Sequence, residues 1–115
     1  MTAASRDRAG GRVDGRVGWR WAAVAGPPVV WMGHLSALGA LSPHACAASA
    51  TWEQHLLTLV CAAVIAGAIV ACRPLARHGT PTAMVGTLGL ALGAWSLVLV
   101  VVEGLYAAVI GPCLR

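Results

Sequence analysis

Charge is scarce in this chain. Only 10% of its 115 residues are charged, against 58% hydrophobic. Soluble domains carry about 25% charged residues, so the composition excludes an ordinary soluble globular protein. Phenylalanine is absent, and every one of the eight basic residues is arginine. No Cys-x-x-Cys or vicinal cysteine pair occurs, which argues against a soft-metal carrier. No acid–base pair stands at a water-accessible catalytic spacing, so no catalytic residues are assigned and an enzyme is not expected.

What is present is apolar sequence in long runs, with a mean hydropathy of +0.76. A pI near 9.4 would suit nucleic acid, but the placement of the arginines does not. Arg6, Arg8, Arg12, Arg16 and Arg20 precede the first apolar run, Arg73 and Arg77 follow the second, and Arg115 closes the chain. That is the positive-inside pattern of a membrane protein, not a phosphate-binding face.

The expected fold is all-α: a three-helix transmembrane bundle, N-terminus cytoplasmic and C-terminus periplasmic or exterior. Residues 1–18 are too polar to fold alone and read as a disordered basic tail. The tail acts as a topology signal and could also meet anionic lipid. Residues 19–115 form the membrane domain, with spans at about 21–41, 52–72 and 82–110. This topology puts seven of the eight arginines inside. A cleaved signal peptide is the rival reading. The first apolar run is too long for one and contains His34, and no leucine stands three before Cys46.

Within span one, Pro27 and Pro28 remove backbone donors and predict a kink in the inner half. Ser42 to Thr51 reads as an outer loop, with Thr51 as an N-cap. Ala62, Ala63, Ala66, Gly67 and Ala71 offer span two a close-packing face. Arg73 to Gly79 reads as the inner loop, followed by Thr80 as N-cap and Pro81 at the first helical position. Gly86, Gly89 and Gly93 line one side of span three, and Gly111-Pro112 ends it.

Two ionisable residues lie deep in the apolar runs. His34 and Glu103 are each seven residues from the outer end of their span, or roughly 10 Å below the surface. Equal depth lets them meet. A lone carboxylate in lipid costs about 2.5 kcal/mol or more, so Glu103 should face protein, pair or be protonated, and pairing with His34 would satisfy that cost. The pair could pin helices, contact a partner subunit, or relay protons. His34 and His55 could in principle hold a b-type haem between two helices. His44 and His78 fall in loops. Cys46 and Cys113 both lie just beyond outer span ends, where a disulfide could join spans one and three. Cys61 reads as a packing residue and Cys72 as a free thiol at the inner end.

The pattern Gly26-Pro27-x-x-x-Trp31-x-x-His34-Leu35, then Ala45-Cys46, Glu103-Gly104-Leu105 and Gly111-Pro112-Cys113, resembles a family. It is a group of small, uncharacterised multi-span bacterial membrane proteins encoded beside haem–copper cytochrome c oxidase subunits and their copper-assembly factor. The resemblance implies an accessory or assembly role at a respiratory oxidase in the cytoplasmic membrane. It points to Pro27, Trp31, His34, Cys46, Glu103 and Cys113. The residues themselves leave two other readings open: a haem-binding redox carrier, and an oligomeric small-solute or metal-ion transporter with His34 and Glu103 on its path.

Overall fold

The computed structural model describes residues 3–48, 51–77, 79–110 and 113, with the side chains of these residues from Gly15 onward except that of Thr80. Three helices follow one another: α1 (Ala3–Ala48), α2 (Trp52–Arg77) and α3 (Thr80–Ile110). Each packs against both others. The bundle is elongated, 65 × 30 × 15 Å. The stretches Gly15–Ala48, Trp52–Arg77 and Pro81–Ile110 are long and apolar enough to cross a bilayer, which makes this a multi-pass membrane protein. Its outward faces are apolar, as lipid requires: Leu59, Trp95, Val98, Val102 and Val109 are all exposed.

Several boundaries differ from the sequence expectation. The basic stretch is not a disordered tail from Ala3 on; it is the first part of α1. Residues 3–18 contain no proline, and extending a helix already formed at its C-terminal side avoids the nucleation cost. α1 is thus about 69 Å long at 1.5 Å per residue, over twice a hydrocarbon core of about 30 Å. It also continues through Pro43 to Ala48, shortening the expected Ser42–Thr51 loop. Likewise α2 runs through Pro74 to Arg77, so most of the expected Arg73–Gly79 loop is helical. His78, Gly111, Pro112 and Arg115 lie outside the described residues, as do Ser49 and Ala50.

The helix starts follow their first hydrogen bonds. The Thr51 carbonyl accepts from the His55 N–H at 3.3 Å, which places Thr51 at the N-cap of α2 as expected. In α3 the cap is Gly79, not Thr80. Its carbonyl accepts from the N–H groups of Thr82 and Ala83 at 3.1 and 3.3 Å and from the Thr82 hydroxyl at 2.7 Å. The residue whose carbonyl receives the first i→i−4 bond is the N-cap; Pro81 therefore sits one place further in.

Glycines on α3 set the α2–α3 approach, but not against the small-residue face expected on α2. A Cβ at Gly86 would fall onto the backbone of Leu75 and Ala76. One at Gly89 would meet Cys72 Sγ at 2.7 Å, and one at Gly93 would meet Ile69 Cγ1 at 2.6 Å. The α2 seam is therefore Ile69, Cys72 and Ala76, with Ile65 fully buried beside it. Ala63, Ala66 and Gly67 face outward. Glycine holes take larger knobs, so the glycine row needs no matching small row opposite.

α1 passes through Pro27 and Pro28 without a break in helix. Pro27 cannot donate to the carbonyl of Ala23, one turn back. The buried Cys72 thiol does so instead, from α2, at 3.8 Å. An orphan carbonyl in a lipid environment needs such a substitute, and here it also ties α1 to α2. Cys72 is thus a buried donor, while Cys61 is a half-buried free thiol.

A candidate polar site between the three helices

The polar groups of the membrane domain converge nearer the disulfide end. His34 is 1% exposed. Its Nδ1 lies 3.2 Å from Glu103 Oε2, and its Nε2 lies 3.0 Å from Thr58 Oγ1. Trp31, one turn before His34 on the same face of α1, donates its indole N–H to Glu103 Oε1 at 2.9 Å. Thr58 donates its hydroxyl to the Gln54 carbonyl at 2.9 Å. One histidine therefore touches both other helices, and both Glu103 oxygens are engaged.

Close approach makes this geometry available. Gly104 follows Glu103 and packs on Thr58; a Cβ there would stand 2.5 Å from Thr58 Cγ2. Any larger residue would lift α3 away from Thr58 and draw Glu103 off His34.

Counting hydrogens orders the chain of bonds. A hydroxyl has one proton, and that of Thr58 is used on Gln54. His34 Nε2 must then be the donor to Thr58 Oγ1. A single proton remains for the Nδ1–Oε2 link. It rests on nitrogen, giving imidazolium and carboxylate, or on oxygen, giving a neutral pair. Both forms keep every bond in the network. The net charge of the pair is zero in each, which is how a histidine and a glutamate can sit together at this depth without an uncompensated charge.

The structure thus brings together His34, Glu103 and Trp31 from the sequence reading. Pro27 is buried on the same helix. Cys46 and Cys113 form a disulfide with Cα atoms 5.2 Å apart, joining α1 to the end of α3. His55 is not part of the cluster. It is exposed and lines a cleft between α2 and α3 with Leu59 and Leu105. A haem held by His34 and His55 would have to displace Thr58 or Glu103 from the His34 ring. His44 is exposed near the end of α1. No group of three or more metal-ligating side chains occurs among the described residues.

Neither Thr58 nor Gln54 was assigned to a site from sequence. Gln54 is 2% exposed, and its Nε2 has no partner among the described residues. A threonine inside an apolar span is common, and nothing local distinguishes Thr58. The one available cue was the depth argument used for His34 and Glu103, extended to α2. Trp31 carried a stronger cue, since a buried indole N–H needs an acceptor and i−3 places it beside His34.

The chain matches no known family model, no curated protein and no solved structure.

Proposed function

We propose that this protein is a small integral membrane accessory or assembly subunit that works by helix packing rather than catalysis. The observation that carries this reading is the closure of the polar site. Both ring nitrogens of His34 and both oxygens of Glu103 bond inside the bundle. The cluster ties three helices together and fixes their register. The surface outside it is apolar and suits lipid or the helices of a larger complex.

The motif resemblance supplies the partner class: a haem–copper, cytochrome oxidase-type respiratory complex in a bacterial cytoplasmic membrane. The arginine distribution supports an N-terminus on the cytoplasmic side. Tagged protein isolated from native membranes in mild detergent should bring oxidase subunits or copper-assembly factors in stoichiometric amount. Recovery of the protein alone would overturn the accessory reading.

A second reading has one observation in its favour. Glu103 remains 23% exposed and borders a cleft of about 370 Å³ with Leu35, Gly39 and Tyr106. An oligomeric transporter would use that cleft as part of its path. Uptake unchanged after neutralising both His34 and Glu103 would dismiss it. For the haem carrier, the corresponding observation is a Soret band in the purified protein; its absence dismisses that reading.

A further inference from the structure

The helix packing leaves a groove between α1 and α2 unfilled at the arginine end. A Cβ added at Gly26 or at Gly67 would meet no atom within 4 Å. Between them runs an apolar cleft of about 300 Å³, walled by Ala22, Val30, Val64 and Ala68. Its α1 wall extends from Trp19 to Val30, about 16 Å along the helix. That is close to half of a hydrocarbon core of about 30 Å, the depth of one leaflet. At its lower end Trp19 and Ala71 also wall a wider hollow, lined by Arg16 and Arg20. These arginines are four residues apart, so they share one face of α1. Neither has a carboxylate partner among the described residues, where the single ion pair is His34–Glu103.

We propose that this groove is a binding site for one anionic phospholipid. An acyl chain lies between Gly26 and Gly67, and the headgroup phosphate meets Arg16 and Arg20. The shape selects a lipid over a neighbouring helix. A transmembrane helix would run the full core, whereas this groove ends after one leaflet, where Ile65 closes fully buried beside it. The charge selects an anionic headgroup over a zwitterionic one: guanidinium groups bind phosphate by paired hydrogen bonds, and two of them, unpaired among the described residues, disfavour a headgroup that carries its own cation. Trp19 stands between the two parts of the site, at the level where indole rings settle in a bilayer. The proposal does not depend on the accessory role.

Native mass spectrometry on the full chain tests it, after exchange into detergent with equal phosphatidylglycerol and phosphatidylcholine. One phosphatidylglycerol should remain bound, and Arg16→Ala with Arg20→Ala should weaken its retention about tenfold or more. Gly67→Leu, which fills the groove without touching an arginine, should lower retention of both lipids while helicity and the disulfide persist. Equal retention of the two lipids by the native chain would overturn the proposal. So would a Gly67→Leu chain that keeps its lipid, or one that loses self-association instead, which would assign the groove to a second copy.

Discussion

The two ends of the bundle are held by different physics. Toward the disulfide end, directional bonds do most of the holding: the Cys46–Cys113 bridge, and the network of Trp31, Glu103, His34 and Thr58, with a single close glycine contact, Gly104 on Thr58, beside it. Toward the arginine end, α2 and α3 are held by contact distance, through Gly86, Gly89 and Gly93 against Leu75, Ala76, Cys72 and Ile69. Its one described polar tie between helices is the weak Cys72–Ala23 bond. Directional bonds fix register, because a histidine reaching two partners tolerates little sliding. Close glycine contacts fix distance and leave α1 partly free of α2, which is where the open groove lies. In lipid no hydrophobic drive presses helices together, so packing and hydrogen bonds must share the task. Here they share it by position.

The contrast breaks most severely at Gly86. Gly86→Leu puts a side chain onto backbone that cannot move aside without parting the helices. It should destabilise the bundle by about 3 kcal/mol, at the upper end of overpacking costs. Unfolding by titration with a denaturing detergent measures it. At the opposite end, Cys113→Ser removes the covalent tie and should lower stability by about 2 kcal/mol. This loss should persist in oxidised samples and vanish against reduced native protein.

Smaller changes sharpen the contrast. Trp31→Phe keeps an aromatic ring and deletes the indole donor, leaving Glu103 held by His34 alone. The expected loss is about 0.6 kcal/mol, the average for a polar contact between transmembrane helices. Cys72→Ala should cost about 0.5 kcal/mol through the unsatisfied Ala23 carbonyl, and Cys72→Ser should recover it by restoring a donor. Equal stability of the alanine and serine variants would show that Cys72 only fills space.

Span number and the His34–Glu103 encounter were readable because both rest on quantities a sequence displays: apolar run length and depth from a span end. What was not readable depends on facing. The α2 seam chosen by α3 is Ile69, Cys72 and Ala76, although Ala62, Ala63, Ala66, Gly67 and Ala71 look more like a packing face. Rotation of a helix about its axis is weakly specified when all its faces are apolar. Pro27 announces an orphan carbonyl at Ala23, but not that Cys72, 49 positions along the chain, answers it. The helical state of residues 3–18 was missed because composition reports the ability to fold alone, whereas this stretch extends an existing helix. Gly79 took the α3 cap in place of Thr80 because a glycine can accept the first helical bond without a capping side chain.

His34 and Glu103 act as one structural unit. A double-mutant cycle with His34→Ala and Glu103→Gln, read by detergent-titrated unfolding, tests it most directly. Each single change should cost about 1 to 2 kcal/mol, and the double change clearly less than their sum. Full additivity would mean instead that the two residues stabilise the bundle independently.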